Sequence, residues 1–207
     1  MSKALIIRSS ASGAASVSNA LIDRAIAQLR DQDPGLQIVA RDLGVAPVPH
    51  LDADALAGIH GEPSTEAQAA ARTLSQTLIA ELQAADLIVI GAPMYNFGIP
   101  STLKAWFDYV LRAGVTFQYT AEGPEGLLKN KRAIVILSRG GLFSEGPYKA
   151  LDAQEPHLRT LLGFIGIKDV AFVRAEGLAM GETVQRKAIA SAQDDLAAAA
   201  TAIAVAA

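Results

Sequence analysis

Asp86-Leu87-Ile88-Val89-Ile90-Gly91-Ala92-Pro93-Met94-Tyr95-Asn96-Phe97-Gly98-Ile99-Pro100 changes character halfway, and that change decides the fold. Leu87 to Ile90 is a continuous run of branched apolar residues, the pattern of a strand covered on both faces in a parallel sheet. Pro100 suits the first turn of a helix, where its missing N–H costs nothing, and Ser101 to Leu111 continues as that helix. Gly91 to Pro100 is then a strand-to-helix loop at the carboxyl end of a strand, the edge of an open α/β sheet where ligands bind. A solvated loop would be polar, yet this one carries Met94, Tyr95 and Phe97. The chain has 11 aromatic residues, none before Tyr95, and seven of them lie between Tyr95 and Tyr119. Such a loop either walls a flat apolar ligand or tucks under a neighbouring element or a subunit interface. The loop alone leaves both open.

Outward from this stretch the same alternation recurs. Lys3 to Arg8 reads as the first strand, followed by a polar loop, Ser9 to Asn19, with five serines. The helix after it places Leu21, Ile22, Ala25, Ile26 and Leu29 on one face and ends at Asp33-Pro34-Gly35. Leu36 to Ala40 is the second strand. Asp42 to Gly61 reads as irregular and long for a compact α/β domain, so it serves function or covers an interface. Within it Asp52 and Asp54 are helix-start residues. Ser64 to Leu82 is helical, with Leu74, Leu78, Ile79 and Leu82 inward. Thr116 to Thr120 reads as extended and Glu122 to Gly126 as a turn. Ala133 to Leu137 is the fourth strand, running into Ser138-Arg139-Gly140-Gly141. A helix spans Lys149 to Phe164, Val170 to Val173 is the fifth strand, and a last helix covers Glu182 to Ala206.

Five strands alternating with helices predict an α/β fold, a doubly wound parallel sheet with helices on both faces. The expected order is 2-1-3-4-5, flavodoxin-like, in one domain over residues 1–207. The unusual loops follow strands one, three and four and converge on the switch point of that order.

Composition narrows the function. Hydrophobic residues are 51% and charged residues 19% of 207, which excludes a disordered polyelectrolyte. A net charge of −3 and a pI near 5.6 give no electrostatic case for nucleic acid or an anionic membrane. The chain has no cysteine, which removes disulfides, thiolate nucleophiles and cysteine metal sites and is compatible with a reducing cytoplasm. The apolar core at Ala4 to Ile7 is too short for a signal peptide, and the Ala-rich tail from Leu196 is too short to span a bilayer. His50, His60 and His157 show no ligand spacing, so no metal site is expected. No Gly-x-Ser-x-Gly elbow marks a hydrolase. Trp106, Phe107 and Val110 have helical spacing and belong to the core.

The three loops carry the chemistry. The first lies at a helix N-terminus, where free N–H groups and the helix dipole favour an anion, and Ser10, Ser16 and Ser18 add hydroxyls. It holds no Lys or Arg; simple N-capping by Ser or Asn is the alternative. No G-x-G-x-x-G or Walker A pattern occurs there. The acidic residues of a receiver domain are replaced by Ser9-Ser10 and Ala92-Pro93. A single phosphate beside an aromatic wall points to a mononucleotide. Gly140 and Gly141 let backbone approach a heterocycle, or simply form a turn.

Taken together, Ser-Ser-x5-Ser-x-Ser, Pro-Met-Tyr-Asn-Phe-x-x-Pro and Ser-Arg-Gly-Gly resemble the FMN-dependent NADH-azoreductase, or NADH:quinone reductase, family. The resemblance extends to Gly-Pro-Glu-Gly at Gly123 to Gly126 and Gly-Phe-Ile-Gly at Gly163 to Gly166. It implies bound FMN, NADH as electron donor, quinones and azo compounds as acceptors, and a homodimer; the cytoplasm is the compartment expected for a chain without cysteine. By the same resemblance Ser10, Ser16, Val17 and Ser18 hold the phosphate. Met94, Tyr95, Asn96 and Phe97 flank the isoalloxazine, and Ser138, Arg139, Gly140 and Gly141 meet its pyrimidine side. Tyr119 and Phe164 match substrate-side positions. Phe143 stands where many relatives have His or Tyr, so a proton-donor role there does not carry over, and no side-chain acid or base is expected. The rival reading is a flavodoxin-type electron carrier. The small net charge and the 42–61 segment argue against it.

Overall fold

In the computed structural model, which describes residues 3–205, a five-stranded parallel sheet forms the centre. Its strands are β1 (Lys3–Arg8), β2 (Gln37–Asp42), β3 (Leu87–Pro93), β6 (Arg132–Ser138) and β7 (Asp169–Ala175), in the order 2-1-3-6-7. The numbering departs from the expected 2-1-3-4-5 because β4 (Phe117–Thr120) and β5 (Gly123–Gly126) pair with each other as a separate antiparallel hairpin. Residues 122–126, expected to be only a turn, thus supply a strand. Gly-Pro-Glu-Gly has no β-forming signature; it is extended by pairing Gly126 with Phe117 and Gly123 with Thr120.

Strand alternation divides the core. Leu5, Ile7, Ile88, Ile90, Val135 and Leu137 face one side, with the buried residues of α3 (Glu66–Ala84), α4 (Ser101–Val110) and α5 (Glu155–Phe164). Ala4, Ile6, Leu87, Val89, Ile134 and Ile136 face the other, against α1 (Val17–Gln32) and α6 (Glu182–Val205). Both faces being covered explains why the central strands read as unbroken apolar runs. Ala206, the expected end of the last helix, lies outside the described residues. No helix among the described residues is long and apolar enough to cross a membrane.

Two further expectations need correction. The segment 42–61 is not irregular throughout: Ala53–His60 forms α2. Asp52 caps it by accepting the N–H of Ala55 at 2.8 Å, and Ala55 and Ile59 enter the core. A Cβ at Gly58 would lie 2.2 Å from the carbonyl oxygen of Gln68, so this is where α2 packs against the backbone of the first turn of α3. The expected helix 149–164 is interrupted. Lys149–Leu151 is a single 3-10 turn, and α5 starts at Glu155. Pro156 occupies the first turn, and the Asp152 carboxylate accepts the N–H groups of Gln154 and Glu155 at 2.9 and 3.1 Å.

Candidate active site

At the carboxyl edge of the sheet the loops after β1, β3 and β6 enclose a crevice of about 200 Å³. Of the residues expected there, Ser10, Ser16, Val17, Met94, Tyr95, Ser138, Arg139 and Gly140 line it. Ser18, Asn96, Phe97 and Gly141 lie beside it. Ser12, Pro93 and Leu178 line it without having been singled out. Leu178 comes from the loop after β7, which the sequence pattern did not mark.

The first loop is a set of donors. Ser16 is the N-cap of α1, its hydroxyl oxygen accepting the N–H of Asn19 at 3.1 Å. The Ser18 hydroxyl, wholly buried, lies 3.1 Å from that of Ser16. The capping alternative and the anion site coexist: the Val17 and Ser18 N–H groups, in the first turn, donate to no atom among the described residues. No carboxylate among the described residues lines the crevice. The loop is tied to β3, because the Ser9 hydroxyl donates to the carbonyl of Gly91 at 2.7 Å.

The loop after β3 closes on itself. Tyr95 and Gly98 exchange both backbone hydrogen bonds at 3.1 Å, with Asn96 and Phe97 between them at φ 48° and 73°. Two central residues at positive φ mark a type I′ turn, where Asn is favoured and Phe is strained by roughly 1–2 kcal/mol. The Phe97 ring is half exposed, edge-on to Phe143 at 6.1 Å between centroids. Tyr95 reaches back to the first loop. Its hydroxyl oxygen accepts the N–H of Ala11 at 3.0 Å and sits 3.4 Å from the Ser10 hydroxyl. Burial pushes this phenol up, but hydrogen bonds from Ser10, Ser12 and Ala11 outweigh it and hold it below the ordinary tyrosine range.

The loop after β6 spends its acceptors and the Arg139 N–H, which donates to the carbonyl of Ala175 at 2.9 Å, and keeps two donors. The carbonyls of Arg139, Gly140 and Gly141 accept the N–H groups of Leu178, Ala179 and Gly177. The N–H groups of Gly140 and Gly141 donate to no atom among the described residues. The Arg139 side chain is turned away from the crevice. Wholly buried, it donates from Nε to Gln154 at 2.8 Å, and from its two terminal nitrogens to Glu176 at 2.9 Å and Asp152 at 3.0 Å. Arg139 lines the crevice only with backbone, whose N–H and carbonyl are spent on Ala175 and Leu178. Tyr119, three-quarters exposed, and Phe164 form a separate aromatic group with Phe117, away from the residues that line the crevice.

This donor set fits one phosphate and one heterocycle. Free N–H groups at a helix N-terminus and serine hydroxyls suit the anion, and the free N–H groups of Gly140 and Gly141 suit ring carbonyls and nitrogens.

Comparison with known proteins gives the fold and the family. Residues 2–200 match a family model described as flavodoxin-like fold. An FMN-dependent NADH:quinone oxidoreductase from Hyphomonas neptunium is 54% identical over 197 residues, 95% of each chain. One from Azotobacter vinelandii is 53% identical over 199 residues, covering 95% of this chain and 98% of its own. The solved structure of an azoreductase from Bacillus anthracis is 29% identical, with a TM-score of 0.89 over 97% of this chain and 99% of its own. An FMN-dependent NADH-azoreductase from the same species, solved in complex with FMN, is 27% identical, with a TM-score of 0.89 over 99% and 100%.

Proposed function

The chain belongs to the family of FMN-dependent NADH:quinone oxidoreductases with a flavodoxin-like fold, and from that membership we infer how its crevice works. The protein is an FMN-dependent oxidoreductase that oxidises NADH and reduces quinones and aromatic azo compounds. FMN supplies the hydride chemistry; the protein binds, orients and shields it. The observation that carries this reading is the pairing of one anion site, free of carboxylates, with unspent N–H donors on Gly140 and Gly141. One phosphate site suits FMN and leaves nothing for a second phosphate of FAD.

Ser10, Ser16 and Ser18 would bind the phosphate with the Val17 and Ser18 N–H groups. Met94, Tyr95, Asn96 and Phe97 would wall the ring, and the Ser138 to Gly141 segment would meet its pyrimidine edge through the N–H groups of Gly140 and Gly141. Among the described residues, Tyr95 and Arg139 are the only ionisable ones lining the crevice, and the Arg139 side chain is spent elsewhere. We therefore assign no side chain as obligatory acid or base. With the loops walling one side, a single planar reactant stacks at a time, so NADH leaves before the acceptor enters and the kinetics are ping-pong.

The chain works as one domain and as a homodimer. The exposed side chains of Phe97, Tyr119 and Tyr148 supply apolar surface for a second copy. NADH as reductant and a chain without cysteine fit the cytoplasm. The test is NADH oxidation with added FMN and a simple benzoquinone or azo dye, with no partner protein present. Turnover supports the enzyme. Bound FMN without turnover, regained only with a redox partner, is the result of a flavodoxin-type carrier.

A further inference from the structure

Arg139 sits beside the glycine pair, yet its guanidinium serves another purpose. Its Nε–H donates to the Gln154 side-chain oxygen at 2.8 Å, and the Gln154 amide donates onward to the carbonyl of Ala92 at 2.9 Å. Ala92 lies in the strand that leads into the Tyr95–Gly98 turn. One residue earlier, the N–H of Ala153 donates to the carbonyl of the strained Phe97 at 3.1 Å. The short segment ahead of α5 thus holds both ends of the wall after β3.

The other edge of the guanidinium holds the second wall. It donates to Glu176 at 2.9 Å, and the same carboxylate oxygen accepts the N–H groups of Phe143 and Ser144 at 2.9 and 3.1 Å. Asp152 receives the third arm at 3.0 Å. Arg139 and Gln154 are both wholly buried. A buried ion cluster stabilises little against an apolar replacement, because desolvation offsets the attraction. A planar guanidinium does fix the angles between the groups it bonds.

We infer that the Arg139 side chain and Gln154 are positioning groups for the cofactor. Without touching it, they set the gap between the Tyr95–Gly98 turn and the Gly140–Gly141 donors in which a flat ring is held. This rests on the FMN reading above.

The experiment uses the full chain stripped of flavin and titrated with FMN, read by flavin fluorescence quenching and by the visible spectrum of the bound form. Gln154→Met keeps the side-chain length and removes both hydrogen bonds. Its FMN Kd should rise about tenfold, the scale of one lost buried hydrogen bond, and the fine structure of the bound flavin band should blur. Leu158→Ala, a core truncation in the same helix, controls for loss of stability. It should lower the melting temperature and leave the Kd and spectrum of the wild type. Should Gln154→Met not fold, Gln154→Glu keeps an acceptor for Arg139, replaces the donor to Ala92 by a carboxylate oxygen that repels its carbonyl, and carries the same expectation. An unchanged Kd and spectrum in the Gln154 variant, or an equal loss of affinity in Leu158→Ala, overturns the positioning role alone. A wild-type chain that takes up no FMN overturns the functional reading and this inference with it.

Discussion

Replacing Ser16 by Asp should strengthen the empty protein and ruin its cofactor site. Ser16 caps α1 through its bond to the Asn19 N–H, is 6% exposed, and lines the crevice. Asp caps as well as Ser, and a carboxylate at a helix N-terminus adds roughly 0.3–1 kcal/mol. Ser16→Ala instead loses the cap, about 1 kcal/mol. For FMN the order reverses. Both variants lose the hydroxyl donor, on the order of 1.5–3 kcal/mol for a bond to a charged group. The Asp variant adds like-charge repulsion. At a separation of about 5 Å and an effective dielectric constant of about 20, that is about 3 kcal/mol per unit charge, a further factor of about 150 in Kd. The assay is flavin fluorescence quenching at fixed ionic strength beside the melting temperature of the flavin-free protein. A Ser16→Asp variant that binds FMN as well as Ser16→Ala would refute the assignment of this loop to the phosphate.

Gly91→Ala should cost about 1–3 kcal/mol in urea unfolding, since its Cβ would lie 2.6 Å from Cδ1 of Ile22, and adding Ile22→Val, which removes that atom, should recover most of it. At Glu176 burial pushes the carboxyl up, but hydrogen bonds from Ser144, Arg139 and Phe143 outweigh it and hold it below the usual range. Its contribution is therefore full above the unfolded-state value of about 4.3 and is lost as the pH falls through the lower folded-state value. Melting temperature should drop on acidification below about pH 4, and less steeply in Glu176→Gln; equal slopes would rule this out. Steady-state plots should be parallel, with excess acceptor competing against NADH. Phe143→Leu should alter the KM for the acceptor and leave the reductive half-reaction with NADH intact. Intersecting plots would show separate binding sites.

The central strands were legible because both faces are covered, so burial is written as uninterrupted apolar runs such as Leu87 to Ile90. The loop positions followed from the strands. Local signals failed where long-range contacts decide. The segment 42–61 reads as irregular, yet α2 forms within it where Gly58 packs against the first turn of α3. Residues 123–126 have no strand signature and are extended by their pairing with residues 117–120. Arg139 beside Gly140-Gly141 reads as a ligand, because its partners Asp152, Gln154 and Glu176 lie 13 to 37 residues away. The Tyr-Asn-Phe-Gly turn carried a usable signal, since Asn tolerates positive φ and Gly follows, but Phe at the second position masks it. Leu178 entered the crevice through a β7 loop with no motif at all.

The claim that one crevice takes one FMN is tested most directly by the chromophore itself. The purified chain, reconstituted with excess flavin and desalted, should show a flavin spectrum at about one equivalent per chain, and heat should release FMN. Release of FAD, or no retained flavin after incubation with FMN, would contradict the account.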